Sequence, residues 1–451
     1  MKSLNAIRDV LILSLLVVTP FLVTTFTYEL FEFPKMMFVY TVTILLIALS
    51  FTQWIVNSKK LGFKYLAAAG RRLVANKKLN VTTLVILFVV ANAISTTFSP
   101  YLYTSLWGYY SRFSGGLISV FCYLAIYLIL KNLEKEKLAY LSKILVFMAT
   151  LVSVYGVTQH FGLEKDRWVQ DVGARVFSSF GQPNWLAAFL VLILPLNLYF
   201  LIKESLLWRK IFYLAVAVTN FTALWFSFSV SGITAFAVCF LLFVTFLEKG
   251  LRRENWQWLA LLVILGGVVC LWQPGLAASR FQDTVVTVMK RVGLLKPAIA
   301  ATAKNYIVGD TGDIRLIVWQ GILNEVISSP KNLLIGTGPE TVAYTFLAFR
   351  PAEMNQTSEG SFLYNKTHNY FLDLLSNTGL LGLTTYLLIN IVAIATAFKK
   401  RSNPLLLALG VGLLGNIVTN FFGWPTVTST LIFFFYLANI SQKDYEQKEV
   451  T

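Results

Sequence analysis

Residues 350–383 read RPAEMNQTSEGSFLYNKTHNYFLDLLSNTGLLGL and pass from a polar half into an apolar half. The polar half closes segment 273–367, the one long polar stretch that separates two apolar runs. The apolar half opens a run with the composition of a membrane span, and the junction carries His368, one of two histidines in 451 residues. We therefore expect the chain to hold segment 273–367 over a membrane, with His368 at the surface.

The rest of the chain consists mainly of apolar runs. Hydrophobic residues make up 56% and charged residues 13% of the sequence, and an apolar helix of about 20 residues crosses a hydrocarbon core of about 30 Å. The sequence predicts an all-α polytopic membrane protein with about twelve transmembrane helices. The expected spans are 10–27, 36–56, 79–98, 113–130, 138–159, 184–202, 210–228, 230–247, 256–272, 369–398, 403–421 and 425–441.

The basic residues favour one orientation of these spans. The two termini and the alternate connections hold 24 of the 38 Lys and Arg residues, seven of them in segment 59–78. Because positive charges concentrate on cytoplasmic loops, we expect both termini inside and segment 273–367 outside. The net charge of +16 then reflects topology, and its dispersal over short turns argues against a nucleic-acid partner.

This orientation divides the chain into four parts. Residues 1–272 form transmembrane helices 1–9, and residues 273–367 form one large extracytoplasmic loop with short helices between spans 9 and 10. Residues 368–441 form helices 10–12, and residues 442–451 are a cytoplasmic tail.

The outward connections carry cations and an amide that suit an anionic ligand. Lys35 and Arg112 lie at the mouths of spans, where contact with lipid headgroups is the alternative. Arg175 precedes the proline that opens the sixth span. Asn184 at that mouth indicates either irregular backbone lining a cavity or a simple helix cap. Arg350 opens the stretch quoted above.

Segment 273–367 holds one further candidate, Arg315. Residues 280–296 are interrupted by charges and predict an interfacial helix. After Asp313, a candidate N-cap, apolar residues recur at helical spacing up to Ile327. Arg315 then lies in the first turn, where the helix dipole disfavours a cation. Either a bound anion or a salt bridge to a neighbouring aspartate explains it.

His368 is the candidate general base. Thr367 is positioned to cap a helix that begins with His368 and Asn369, and the dipole lowers the pKa of a histidine in the first turn. A general base needs a neutral imidazole. A purely structural histidine is the alternative, but the outward position beside polar Tyr364 favours chemistry. Asp373, about 140° further round the helix, is poorly placed to orient the ring.

Several reaction classes lack their motifs. The sequence has no G-x-x-x-x-G-K-[ST], H-E-x-x-H or G-x-S-x-G pattern and no D-x-D triplet. We therefore expect no metal and no cofactor, and arginine or lysine would neutralise a leaving phosphate directly.

The order of several motifs resembles the O-antigen ligase and polymerase superfamily. Arg315-x-x-x-Trp319 is followed by SPKNLLIGTGPE (329–340) and THNYFLDLLSNTGLLGL (367–383). Residues 175–186 resemble the family pattern R-x-x-S/T-x-x-x-x-P-N, and EFPK (32–35) and QHFG (159–162) also fit. With the long outer loop near the end, the resemblance covers most of the chain.

The resemblance implies a GT-C-like fold and an inverting, metal-independent glycosyltransferase of the O-antigen ligase type. It would act at the outer face of the bacterial cytoplasmic (inner) membrane on a glycan carried by polyprenyl (undecaprenyl) diphosphate. His368 would deprotonate the acceptor hydroxyl, and Arg315 would hold the diphosphate. The expected substrate-binding residues are Arg175, Arg112, Arg350, Lys35, Asn184, Tyr364 and Asn369.

One departure from the family and several alternatives stay open. Turn 229–232 lacks the arginine that many members carry between spans 7 and 8, and we expect another outer arginine, such as Arg112, to replace it. The acceptor is a lipid-linked core sugar in a ligase, a second polyprenyl-linked glycan in a polymerase, or a protein hydroxyl. The ligase is our expectation.

A lipid-linked sugar transporter or flippase is the alternative from another class. It would have ionisable residues near span midplanes and two repeated halves. The ionisable residues gather at the outer rim instead, and this favours surface chemistry. The expected partners are thus the lipid-linked donor, the glycan, lipid or protein acceptor, and membrane lipids.

Overall fold

The computed structural model describes residues 2–61, 80–275 and 311–442, and these ranges confirm the all-helical architecture. The α-helices there are α1 Lys2–Val18, α2 Glu32–Leu61, α3 Val81–Thr97, α4 Leu102–Trp107, α5 Leu117–Lys131, α6 Lys135–His160, α7 Pro183–Lys203, α8 Leu207–Phe226, α9 Val230–Phe246, α10 Lys249–Trp272, α11 Thr311–Ile327, α12 Pro330–Ile335, α13 Val342–Thr345, α14 Tyr370–Lys399, α15 Pro404–Phe421 and α16 Val427–Ile440. Short 3-10 turns occur at Thr19–Phe21, Ser178–Phe180, Phe346–Phe349 and Ala352–Gln356. The predicted interfacial helix 280–296 lies outside the described residues, as do segments 62–79 and 443–451.

Each of the twelve apolar runs coincides with a described helix. In the described ranges, seven helices are long and apolar enough to cross a membrane by length and composition: the first covers 3–21, followed by α2 (32–56), α6, α7, α10, α14 and α15. Four shorter apolar helices, α3, α5, α9 and α16, accompany them. The chain is therefore a multi-pass helical membrane protein, while the count of twelve spans stays a prediction.

The first helix differs from the predicted span 10–27. It ends at Val18, and Pro20 follows in the turn Thr19–Phe21. Proline has no amide hydrogen to donate and clashes with the preceding helical turn. The α-helix therefore stops nine residues before the predicted boundary.

Helix α7 is the centre of the core. Its sequence, PNWLAAFLVLILPLNLYFLIK, is apolar on every face, and 89% of its most apolar window is buried within the protein. It packs against α8, α9 and α15. A helix that is apolar all round is expected in the middle of a bundle, and the remaining helices surround it.

Residues 311–367, called the outer segment because the sequence predicts them outside the membrane, have a small core of their own that packs on α14. Ile314, Val318 and Ile322 of α11 form this cluster with Met354 and Tyr364. Partly buried leucines in the first turns of α14 pack against it. The described part of the outer segment is therefore docked on the N-terminal half of α14.

Helix α14 is broken at Gly379, which has φ 62° and ψ −165°. As one unbroken helix the predicted span 369–398 would be about 45 Å long and exceed the bilayer core, so that the sequence predicts protrusion, tilt or a break near Gly379 and Gly382. The structure shows a break. The break frees two carbonyl groups, and the loop after α12 binds both. The Thr337 amide donates to the Ser376 carbonyl and the Gly338 amide to the Asn377 carbonyl, each at 2.9 Å.

The approach of the two segments is close. A Cβ atom on Gly379 would lie 2.4 Å from a backbone carbon of α12, at Leu334. A Cβ atom on Gly336 would lie 2.4 Å from the backbone of Asn377. Only glycine has room at these two positions. The motifs GTG (336–338) and NTG (377–379) thus interlock.

Candidate functional site

Helix α14 begins two residues later than the sequence predicted. Its N-cap is Asn369, whose side-chain oxygen accepts hydrogen bonds from the amides of Phe371 (3.0 Å) and Leu372 (3.2 Å). The expectation that Thr367 caps a helix beginning at His368 is wrong, because the Thr367 hydroxyl accepts from the Asn369 amide at 3.1 Å instead. His368 lies before the helix, with a left-handed φ of 57°.

Two neighbours hold the main chain of Thr367, the residue that precedes His368. The Thr367 amide donates to Asp373 Oδ1 at 2.9 Å, and Trp319 Nε1 donates to the Thr367 carbonyl at 2.9 Å. Asp373 was expected to be badly placed for the imidazole, and it contacts the backbone instead. His368 is therefore oriented through its main chain, which stabilises an otherwise unfavourable φ.

The imidazole of His368 lies among aromatic and cationic groups. The Trp424 ring is edge-on at 5.0 Å between centroids, and the Tyr364 ring is at 6.2 Å. Burial, together with the charges of Arg315 and Arg112, lowers the pKa of His368 to about 4. The neutral state was predicted, but its physical cause is burial beside two guanidinium groups rather than the helix dipole.

Arg315 lies on α11 one turn before Trp319, on the same face of the helix. Helix α11 includes Thr311, so that Asp313 is inside the helix rather than at its N-cap and Arg315 lies beyond the first turn. Burial lowers the pKa of Arg315, while the charges of Glu359 and Tyr364 raise it. The RxxxW motif thus brings one cation and one positioning indole to His368.

Arg112 reaches the same site from the loop before α5. It is 8% exposed, and its Nη2 donates to Asn365 Oδ1 at 3.0 Å. Its guanidinium carbon lies 6.0 Å from the centre of the Tyr109 ring and 5.9 Å from that of Trp424. These contacts hold Arg112 inside the protein, between Asn365, Tyr109 and Trp424.

Arg175 and Asn184 lie together beside this centre. Arg175 Nη2 donates to Asn184 Oδ1 at 3.1 Å, and its Nε donates to the Ser227 carbonyl at 3.0 Å. The adjacent Trp185 contacts Trp424, with ring centroids 5.7 Å apart. Arg175 therefore contacts the turn between α8 and α9, and the replacement of the missing arginine by Arg112 stays a prediction.

The structure gives other predicted ligand residues contacts within the protein. Lys35 is fully buried, donates to the Ser179 carbonyl at 2.8 Å and lies 3.6 Å from Glu32. Arg350 Nη2 donates to the Gly360 carbonyl. The Tyr364 hydroxyl donates to Glu359. These residues stabilise the outer segment and its surroundings, and His368, Arg315 and Arg112 make up the centre.

Sequence reasoning missed Trp424, which contacts His368, Arg112 and Trp185. The only signal was a Gly-Trp-Pro sequence in the short turn between the last two apolar runs. It also missed Glu340, whose carboxylate pairs with Lys366. In the described ranges, no group of three or more His, Cys, Asp or Glu side chains is arranged to hold a metal ion.

The fold and this centre define a polytopic helical membrane protein in which guanidinium groups flank a desolvated imidazole. Residues 214–387 match the family model described as O-antigen ligase. Residues 214–387 thus carry this domain, and the match supports the resemblance of the chain to the O-antigen ligase superfamily. The matched residues run from α8 into α14 and include Arg315 and His368. No curated protein matches the chain significantly.

Proposed function

We propose that the protein transfers a glycan from polyprenyl diphosphate to an acceptor hydroxyl at the outer face of the bacterial cytoplasmic membrane, as an O-antigen ligase does. Membership of a family of glycosyltransferase-like enzymes supports the class of reaction. The observation that carries the proposal is the position of the His368 imidazole against Trp424, where burial and the charges of Arg315 and Arg112 lower its pKa and favour the neutral state.

His368 takes the proton of the acceptor hydroxyl. The acceptor oxygen forms a bond to the anomeric carbon, and the bond from that carbon to the diphosphate oxygen breaks with its electron pair. The transfer inverts the configuration, since attack and departure occur on opposite faces of the carbon. The proton ends on the imidazole, and the negative charge ends on the diphosphate.

Arg315 and Arg112 stabilise the departing diphosphate, and Arg175 assists from the adjacent loop. Guanidinium groups suit this role because they are always charged and bind phosphate oxygens in pairs. Donor groups fixed in advance in a poorly hydrated site stabilise developing charge strongly. The arginines supply the charge that a metal ion supplies in other transferases, and we propose a metal-independent reaction on that basis.

Donor binding also strengthens the base. The two arginines lower the pKa of His368 in the free protein, and a bound diphosphate offsets their charge. The pKa of His368 then rises toward the working pH, where a general base is most effective. The acidic limb of kcat is therefore expected at higher pH than that of kcat/KM, since kcat reports the complex and kcat/KM reports the free enzyme.

The test follows release of undecaprenyl diphosphate by purified protein in lipid nanodiscs, with lipid A bearing core sugars as the acceptor. We expect His368→Ala to lower turnover by about 10²- to 10⁴-fold and Arg315→Ala by about 10²- to 10³-fold. The matched controls are His160→Phe, which keeps the stacking of this ring on Phe226, and Arg167→Ala on the outer surface.

Three outcomes would overturn parts of the proposal. Normal turnover by His368→Ala would show that His368 is not the base. Normal turnover by Arg315→Ala would show that Arg315 does not stabilise the leaving diphosphate. Loss of wild-type activity on addition of a chelator would contradict metal independence. The mass of the product separates the ligase from a polymerase, because only the latter joins two polyprenyl-linked glycans.

A further inference from the structure

A cavity lies next to the proposed catalytic centre, between α3, α5, α14 and α16 beneath the outer loops. Its volume is about 90 Å³, which is room for roughly six waters. Arg112 and Trp424 form part of its wall, so that it adjoins the surroundings of His368. Its inner wall is apolar and includes Phe88 and Phe434.

The cavity wall contains hydrogen-bond acceptors that lack donors. Glu340 Oε2 and Asn377 Oδ1 are buried and have no hydrogen-bond partner in the described part of the chain. Glu32 Oε1 likewise accepts no hydrogen bond there and has only the ion pair with Lys35 at 3.6 Å. Buried acceptors are normally satisfied, and these residues line one space.

Glu340 is held in a costly conformation at this wall. It is 5% exposed and has a left-handed φ of 61°, which a residue with a long side chain adopts rarely. Its other carboxylate oxygen pairs with Lys366. A Cβ atom on Gly115 would lie 2.1 Å from that oxygen, so the facing loop leaves room for the carboxylate. Strain that the surroundings impose at a buried polar residue is typical of ligand sites.

The charges around the cavity limit what it binds. Arg112 and Lys366 line it as cations, and Glu32 and Glu340 line it as carboxylates. The two pairs offset each other, so that the cavity offers neither a free cation nor an anion a net attraction. A neutral molecule rich in hydroxyl groups needs no such attraction, and its O–H groups supply the missing donors.

We propose that this cavity binds the sugar unit that carries the attacking hydroxyl, with Glu340 and Asn377 accepting hydrogen bonds from its other hydroxyl groups. This inference rests on the proposed function, in which His368 contacts the acceptor oxygen. Of the three arginines proposed to hold the diphosphate, only Arg112 lines the cavity. We place the acceptor sugar there because an inverting displacement brings the acceptor to the face of the anomeric carbon opposite the leaving group.

Saturation-transfer NMR tests the site without any turnover. The probes are the methyl glycosides of glucose, galactose and N-acetylglucosamine, added to wild-type protein in nanodiscs. We expect saturation of sugar protons in the wild type and about tenfold weaker binding in Asn377→Leu. Glu340→Gln, which keeps the shape and removes the charge, is expected to weaken binding about fivefold.

Two buried polar residues of the same region provide matched controls. Asn390 lies on the same helix as Asn377 and also has an unpaired Oδ1, but it does not line the cavity. Glu325 is fully buried and accepts a hydrogen bond from Ser376 at 2.9 Å. Asn390→Leu and Glu325→Gln should leave glycoside binding unchanged. Unchanged binding of undecaprenyl diphosphate shows that every variant is folded.

A second arm separates the two sources of sugar. Undecaprenyl diphosphate bearing N-acetylglucosamine is added to the wild type with bound glycoside. Retention of the glycoside supports an acceptor site. Displacement by this sugar-bearing lipid, with no displacement by undecaprenyl diphosphate alone, would assign the cavity to the donor sugar and overturn the proposal. Absence of a wild-type signal, or an equal signal in Asn377→Leu, would mean that the cavity holds water only. Failure here leaves the transferase test untouched, because no reaction is measured.

Discussion

Replacement of Arg112 by glutamine is expected to raise the pKa of His368, and the structure sets an upper limit on the rise. Burial, Arg315 and Arg112, in that order of size, lower this pKa from 6.5 to about 4. The difference corresponds to about 3 kcal/mol. Since Arg112 contributes least of the three, its share is at most a third, which is about 1 kcal/mol or about 0.8 of a pH unit.

The chain is suited to a direct measurement, because it contains only two histidines. NMR titration of isotope-labelled histidine in nanodiscs gives two signals, and His160→Phe assigns the remaining one to His368. We expect the wild-type signal to titrate at about 4 and the Arg112→Gln signal about 0.8 of a pH unit higher at most. Arg315→Gln should produce the larger rise, and Arg167→Gln should produce none.

The sign of the effect on stability follows from the same shift. Between pH 6.5 and about 4 the unfolded chain binds a proton at His368 that the folded chain does not. Stability therefore falls as the pH drops through this window, by up to about 3 kcal/mol from this side chain. A wild-type pKa of 6.5 or above would show that the imidazole is hydrated. A lower pKa in Arg112→Gln would show that this guanidinium does not act on it.

Three further substitutions test the scaffold of the site. Trp319→Phe removes the hydrogen-bond donor to the Thr367 carbonyl, and the loss should raise the activation free energy by about 1 kcal/mol. We expect a roughly fivefold lower kcat and an unchanged affinity for the lipid-linked glycan. A lower affinity would instead mean that the indole contacts that substrate. Gly379→Ala should lower the free energy of unfolding by about 2 kcal/mol or more, seen as a lower midpoint of thermal unfolding. Gly267→Ala is the control, because a Cβ atom there meets nothing within 4 Å, and its midpoint should not change. Equal midpoints of the two variants would contradict the close contact at the break. Asn369→Ala should lower the free energy of unfolding by about 1 kcal/mol in the same assay, and Asn369→Asp should leave it unchanged. Equal stability of Asn369→Ala and the wild type would show that Asn369 does not cap α14.

The sequence predicted the positions of the helices well, since a helix that crosses lipid needs a long apolar run and shows it. The boundaries depend on local chemistry that is harder to weigh. Pro20 ends α1 earlier than the apolar run suggests. Thr367 and Asn369 are both good capping residues, and only the folded geometry shows that Asn369 makes the bonds to the first amides.

The site was predicted in part. His368 and Arg315 were recognisable from their motifs, but the cause of the low pKa lies in neighbours that are distant in the sequence. Trp424 lies in the turn between α15 and α16, and Arg112 precedes His368 by more than 200 residues. Single residues in short turns give no periodic signal, so their convergence could not be predicted. Lys35 was predicted to bind substrate because it lies at the mouth of a span. In the structure it donates to the Ser179 carbonyl and pairs with Glu32 inside the protein.

The break at Gly379 links the proposed catalytic centre to the cavity beside it. The amides of Thr337 and Gly338 bind the carbonyls freed by the break, and Glu340 follows them by two residues at the cavity wall. The half-helix before the break begins just after His368 and carries Asn377 into the same cavity. One set of backbone hydrogen bonds thus joins the segment that carries Glu340 to the part of α14 that carries Asn377 and follows the proposed base. A change that loosens this junction should therefore disturb the two sites together, whereas Asn377→Leu should affect the cavity alone.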